Sequence, residues 1–483
     1  MRGGARLGVI ATLALAVVAA GCGDADYRVP SISISELRPC GGLPKPEGFR
    51  CGSIEVPFER EDASLGDATV GFAVRERDEA DRPSRGAIFA LEGGPGYSST
   101  GTANAFVKLF GSLLRNRELV LVDQRGAGLS EPLDCRDLQK GKGPDWLTLG
   151  ECGRRLGERA GSFRTEAMAH DIDDVRKAME LDEITLYGDS YGSFLAQSYA
   201  YRYRDRVNAL VLDSTYVLEG EDPWYPDLPR TGVRSISIAC KRSEECSGDA
   251  GRRLDRLVDH LRETGRGVGG LIDAISEAGT GTFATDSYLK IDRAGEALLA
   301  GNPKPWRKLT QEGKPAFHHP RFYRRAGELV VGCNDYPMIW DKEADEDERR
   351  ELLAEAIRDY DPDAFAPFTA REMALSSEIG YLECLTWPEP TELYEPPKPE
   401  DAKAPKVPTL VVAGELDDIT TPAEGKTVAE EFPGSEYFEA RNAGHVVSLY
   451  DSHGSAAREI RRFLRRTSAL DHQPGGTHSP VAR

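Results

Sequence analysis

The chain has 483 residues, 40% of them hydrophobic, which is more apolar sequence than one compact core usually holds and enough for one large domain with a sizeable insertion. Acidic residues outnumber basic ones by 80 to 61, for a net charge of -19, and no Lys/Arg-rich stripe with interleaved aromatics stands out, so nucleic acid is excluded as an expected partner. No Cys-x-x-Cys pair or histidine cluster has ligand spacing, so neither a metal nor a cofactor is expected.

At the N-terminus, Arg2 and Arg6 precede an apolar stretch from Leu7 to Ala20, and Ala19-Ala20-Gly21 supplies small residues before Cys22. This predicts an export signal over 1–21, whose apolar stretch is too short to span a bilayer comfortably. Cys22 falls where cleavage would leave it first, with a polar segment behind it. It is the expected lipidation site, 22–38 is the expected tether, and membrane attachment on the outer face follows. Eight further cysteines remain: Cys40, Cys51, Cys135, Cys152, Cys240, Cys246, Cys333 and Cys384. An even number suits an oxidising, extracellular or cell-surface location. Chain neighbours pair naturally as 40 with 51, 135 with 152, 240 with 246 and 333 with 384, although spacing alone does not fix the connectivity.

From residue 53 to 213, β-rich runs alternate with helical stretches. The runs are Ser53 to Val56, Ala68 to Val74, Ala87 to Leu91, Glu118 to Asp123, Ile184 to Gly188 and Ala209 to Asp213. Between the fourth and fifth, Met168, Ile172, Val175 and Met179 make one apolar helical stripe. Residues 216–405 read mainly as helices broken by Pro-rich loops, and strand patterns return at Pro408 to Ala413 and Glu436 to Ala440. The expected fold class is α/β: a mostly parallel sheet with helices on both faces. Its core is divided into 39–215 and 406–468, with a helical cap over 216–405 and a disordered tail over 469–483. An insertion at that point should lie over the carboxyl edge of the sheet, where open α/β sheets place their sites.

The chemistry gathers at that edge. Gly188-Asp189-Ser190-Tyr191-Gly192 lies between the strand run at Ile184 and the helical run from Phe194, which is the strand–turn–helix context of a nucleophile elbow G-x-S-x-G. A serine hydroxyl needs a base to take its proton and a carboxylate to orient that base. After the strand Thr409 to Ala413 come Asp417 and Asp418, with Glu415 a poorer third candidate, and His445 follows Gly444 after the last strand run. The order Ser, Asp, His is the order a serine hydrolase of this topology requires. The two aspartates compete for the role of acid; with Asp417 as the acid, Asp418 could instead accept N–H bonds from Thr420 or Thr421 and hold the turn. Glu92-Gly93-Gly94-Pro95-Gly96, directly after the strand Ala87 to Leu91, offers bare backbone for half of an oxyanion hole, and the Tyr191 N–H offers the other half.

Together, Gly93-Gly94-Pro95-Gly96, Asp123-Gln124-Arg125-Gly126-Ala127-Gly128-Leu129-Ser130, Gly188 to Gly192, the Gly-x-x-Asp of 414 to 417 and Gly444-His445 resemble the proline iminopeptidase and tripeptidyl aminopeptidase group of α/β-hydrolases. Val331-Gly332-Cys333-Asn334-Asp335 and Cys384-Leu385-Thr386-Trp387-Pro388 are similar to segments of the secreted tripeptidyl branch. The resemblance implies a catalytic Ser190, Asp417 and His445, an oxyanion hole from the amides of Gly94 and Tyr191, and release of residues from free N-termini of short peptides. Proline iminopeptidases carry His where this chain has Glu92. An aminopeptidase must also bind a free α-ammonium group with a carboxylate, for which Glu92 and Asp335 are the candidates. A carboxylesterase or lactone hydrolase with the same triad is the alternative, and a non-catalytic binding module would have no need of an intact triad.

Overall fold

A computed structural model describes residues 29–41, 48–142, 145–244, 246, 248–280, 283–312, 322–376 and 381–470. The expected signal over 1–21, Cys22 and residues 471–483 of the expected tail lie outside the described residues. Ala469 and Leu470, assigned to the tail by sequence, instead complete the helix Ser455–Leu470, as befits two strong helix formers.

The apolar runs assemble into one nine-stranded sheet: β1 (Arg38–Pro39), β2 (Phe49–Pro57), β3 (Asp67–Arg75), β4 (Ala87–Leu91), β5 (Glu118–Val122), β6 (Ile184–Asp189), β7 (Val207–Asp213), β8 (Thr409–Gly414) and β9 (Glu436–Ala440). Their order is β1-β2-β3-β5-β4-β6-β7-β8-β9. The first three strands are antiparallel to their neighbours, and from β5 to β9 every pairing is parallel. The strands β4, β6 and β8 are buried throughout, which explains why they read as continuous apolar runs rather than alternating ones. β9 is an edge strand with only Ala440 buried. β2 and β3 run further than their apolar cores predict because cross-strand pairing continues from Phe49↔Arg75 to Pro57↔Asp67.

Alternate residues of β4 serve two cores: Ala87, Phe89 and Leu91 pack with Leu186 and Phe194, while Ile88 and Ala90 pack with Phe106, Tyr187 and Phe463. The stripe residues Met168, Ile172 and Val175 of the helix Thr165–Ala178 are buried in the first core.

Between β7 and β8 the chain is helical, from Asp227–Arg242 through Ala250–Glu263, Gly269–Gly279, Ala284–Leu299 and Lys304–Glu312 to Arg325–Asp335 and Glu346–Asp359. This segment grips the loops at the carboxyl edge of the sheet. Arg324 N–H donates to Gly96 O at 2.9 Å and His445 N–H to Gly279 O at 2.7 Å, and the Tyr288 hydroxyl donates to Leu416 O at 3.0 Å.

Four disulfides join chain neighbours: Cys40–Cys51, Cys135–Cys152, Cys240–Cys246 and Cys333–Cys384. Asp292 approaches the second-last of these pairs, Cys240 and Cys246, but its carboxylate is held by the Arg253 guanidinium at 2.7 and 2.8 Å. Arg125, from the Asp123–Ser130 motif, is 3% exposed and acts as an internal tie. It donates to both oxygens of Asp171 at 2.6 and 2.9 Å and to the carbonyls of Pro57, Phe58 and Ser162, joining β2, the loop after β5 and the helix Thr165–Ala178.

Candidate active site

β6 ends at Asp189, and the helix Tyr191–Arg202 begins immediately, leaving Ser190 alone to make the turn with φ 49° and ψ −128°. A non-glycine residue at such a φ is strained and persists only where its surroundings fix it. The flanking glycines provide that fixation. A Cβ on Gly188 would fall 2.1 Å from Gly192 O, and one on Gly192 would fall 2.1 Å from Leu91 O. Strand, turn and helix can therefore close only with glycine at both places, and Ser190 projects at the carboxyl edge of β6.

His445 follows β9, and Asp417 follows β8, two adjacent parallel strands that bring both loops to the same edge. His445 Nδ1 stands 3.0 Å from Asp417 Oδ2 and 3.2 Å from Oδ1. The Thr420 hydroxyl bridges them, 2.9 Å from Asp417 Oδ2 and 3.1 Å from His445 Nδ1. With Nδ1 turned to Asp417, Nε2 is the ring nitrogen left to take a proton. Burial alone would lower the imidazole pKa, but the charge and hydrogen bond of Asp417, aided by Asp213 and Glu92, outweigh it and raise the pKa. Among the described residues Ser190 and His445 share no direct hydrogen bond. The Tyr216 hydroxyl, just past β7, is a hydrogen-bonding neighbour of Ser190.

The two adjacent aspartates divide differently from the sequence expectation. Asp417 itself accepts the amides of Ile419 and Thr420, each at 3.0 Å, so the turn is held by the same carboxylate that meets the histidine. Asp418 does not hold the turn. Successive residues leaving a strand point to opposite sides, and Asp418 is directed into the helical segment, where it meets the Tyr288 hydroxyl and packs so closely on Gly279 that a Cβ there would lie 1.9 Å from its Oδ1.

Around Gly93–Gly96 the neighbouring amides are occupied: Gly93 N–H donates to Asp189 Oδ1 at 3.1 Å and Gly96 N–H to Gln124 Oε1 at 2.9 Å. The Gln124 side chain also holds Glu92 O and Gly93 O at 2.9 and 3.2 Å. That leaves Gly94 in the loop and Tyr191 in the first helical turn as candidate donors to an oxyanion.

Of the candidates for an amine receptor, Asp335 accepts the Thr165 amide and hydroxyl on Oδ2, each at 2.6 Å, and the buried Glu92 carboxyl has Thr102, the Gly93 amide and Asp189 as hydrogen-bonding neighbours. A third carboxylate escaped the sequence reading. Glu328 lies two helical turns before Asp335 on Arg325–Asp335, accepts the Tyr323 hydroxyl, and exerts its charge on Tyr97 in the Gly93–Gly96 region and on Tyr216 beside Ser190. Burial first, then the charges of Glu383 and Asp145, push its pKa up to about 7. The signal in the sequence was a lone charge within Ala326-Gly327-Glu328-Leu329-Val330-Val331. Thr420 and Tyr216 gave no comparable signal, because only the tertiary fold brings them to the histidine and the serine.

Residues 86–232 match the family described as alpha/beta hydrolase fold, and residues 371–473 match the family described as TAP-like protein. The chain is 25% identical to the serine protease Hip1 of Mycobacterium tuberculosis over 494 aligned positions, covering 88% of this chain and 89% of that one. It is 28% identical to the tripeptidyl aminopeptidase of Streptomyces coelicolor over 207 positions, 38% of each chain. A proline iminopeptidase of Arabidopsis thaliana is 27% identical over 149 positions, 31% of this chain and 32% of the relative.

Proposed function

The chain is an α/β-hydrolase of the group containing proline iminopeptidases and tripeptidyl aminopeptidases, and from that premise we propose that it is an exported serine aminopeptidase acting on short peptides. The observation that carries this reading is the contact of His445 Nδ1 with Asp417, on loops at the same carboxyl edge of the sheet as the strained Ser190. Ser190 Oγ attacks the scissile carbonyl carbon while His445 Nε2 takes its proton. Asp417 stabilises the imidazolium, and the amides of Gly94 and Tyr191 receive the developing oxyanion. The imidazolium then protonates the leaving amine as the C–N bond breaks. Water, deprotonated by the same histidine, releases the acyl group from Ser190.

The helical segment between β7 and β8 serves as a cap that admits short peptides, and Glu328 receives the substrate's α-ammonium group. A charged amine beside a buried carboxylate needs no other counter-ion. The disulfides fit an oxidising compartment, and a lipidated Cys22 would hold the enzyme at the outer face of a membrane.

A fluorophosphonate probe tests the nucleophile. The wild type is expected to be labelled at Ser190, and Ser190→Ala to lose both labelling and several orders of magnitude of hydrolysis with its melting temperature kept. Labelling that persisted in the folded variant would remove Ser190 from the role. A panel of aminoacyl amides against simple acyl esters separates the aminopeptidase from an esterase.

A further inference from the structure

Two carboxylic residues are built into the hinge between the Gly93–Gly96 loop and the elbow, and the reaction above leaves them unused. Glu92 immediately precedes the loop, at the end of β4. Asp189 immediately precedes Ser190, at the end of β6, and the two strands are direct parallel neighbours. The strand register places Leu91 opposite Gly188, so the next residues, Glu92 and Asp189, leave the sheet side by side. Their carboxyl groups are interacting neighbours, with the Thr102 hydroxyl and the Gly93 amide also at Glu92. Asp189 is 0% exposed, and Glu92 Oε2 is buried with no other hydrogen-bond partner among the described residues.

Asp189 also holds the loop directly through the Gly93 amide at 3.1 Å. Its other oxygen lies 3.1 Å from the Tyr187 hydroxyl, which is itself 3.2 Å from Asp213 Oδ2 and 2.7 Å from Ser448 Oγ. The remaining titratable groups that face the pair are Tyr97 on the loop, His445 after β9 and Tyr450 beyond it. None of these partners is lysine or arginine. His445 is the one group among them that can carry positive charge, and it is neutral when it acts as a base; two carboxylates in contact inside a protein then share a proton.

We propose that Glu92 and Asp189 form a carboxyl–carboxylate dyad holding one proton, and that this proton fastens the oxyanion loop to the nucleophile elbow. One carboxyl donates its O–H to the other, and the Gly93 amide completes the clasp, so the Gly94 N–H stays beside Ser190. When the proton is lost, two like charges face each other and the loop is driven off the elbow. Burial raises the pKa of both groups, and the Glu92 charge raises Asp189 further. The shared proton is therefore held above the ordinary carboxyl range, and its loss belongs to the high-pH side of the profile. Glu92 and Asp189 are positioning residues: they act on the reaction through the loop.

The inference rests on Ser190 as the nucleophile, and one experiment separates the two. The rate of labelling by a neutral fluorophosphonate, which has no amine to titrate, is measured against pH for the wild type, Glu92→Gln and Asp189→Asn, each normalised to its own maximum. The wild type is expected to lose labelling about tenfold per pH unit above its optimum, and the two amide variants, which have no shared proton to lose, to show no such limb. Superimposable profiles would overturn the dyad while leaving Ser190 in place, whereas labelling of Ser190→Ala would overturn the nucleophile first. Should both amide variants fail to fold, infrared spectroscopy of the wild type decides. The carboxylic-acid carbonyl band should vanish over the same pH range as labelling, and a band unchanged across that range would refute the proposal.

Discussion

Asp417 is held from three directions, by the amides of Ile419 and Thr420, by the Thr420 hydroxyl and by the His445 ring. Replacing it with Asn keeps the shape but puts an amide where Nδ1–H needs an acceptor, so the imidazole is no longer held in its working tautomer. Asp417→Asn should cut turnover by about 10³-fold or more with little change in melting temperature. Asp418→Asn, which disturbs the Tyr288 contact instead, should lower the melting temperature and spare turnover; the reverse pattern would exchange their roles. Glu328 makes a pH-dependent prediction. Its carboxyl is pushed up to about 7, mainly by burial, so below that pH it is protonated and loses its hold on an ammonium group. Wild-type KM for a free-amine peptide should therefore rise as pH falls through about 7. Glu328→Gln should raise KM on the order of tenfold at pH 8 and flatten that dependence, leaving N-acetylated ester substrates unaffected. Equal losses on both substrate types would deny Glu328 its receptor role. Ser190, Asp417 and His445 stood out in the sequence as candidates because each follows a strand and sits in a short turn with its own signature, and the structure brings Asp417 and His445 into contact. The contacts of Asp418 and Glu328 did not stand out, since the helical segment sets them, nor did that of Tyr216, which only the tertiary fold brings to Ser190.

Among the elements, the tie at Arg125 shows what the Asp123–Ser130 motif does for the fold. The arginine is buried with its partner Asp171, and Arg60 approaches the same carboxylate at 3.0 Å. Breaking a buried pair by removing one partner is far more costly than never having had it. Arg125→Ala should thus lower unfolding free energy by about 3 to 5 kcal/mol, read from urea denaturation, and a loss below 1 kcal/mol would mean that Arg60 alone satisfies Asp171. The long apolar strands β4 to β8 were readable as strands because both faces are buried. The ends of β2 and β3 were missed because their residues are paired across strands rather than patterned along the chain, and the two-residue β1 is too short to leave a periodic signal.

For the molecule as a whole, the alternating pattern announced a parallel sheet, and the late return of strand signal announced a helical insertion ahead of β8. Neither pattern could say that the inserted helices would bond to the histidine and acid loops themselves, through Gly279 to His445 and Tyr288 to Leu416. That coupling is a property of packing, and it makes the helical segment part of the support for the Asp417 and His445 loops. The central claim, a serine-dependent aminopeptidase, is tested most directly by product masses from a defined pool of short peptides supplied with free and with acetylated N-termini. The account predicts that the wild type releases N-terminal residues or short N-terminal peptides from the free-amine set, leaves the acetylated set intact, and that Ser190→Ala releases neither. Equal cleavage of the acetylated set, or release by the folded Ser190→Ala protein, would contradict it.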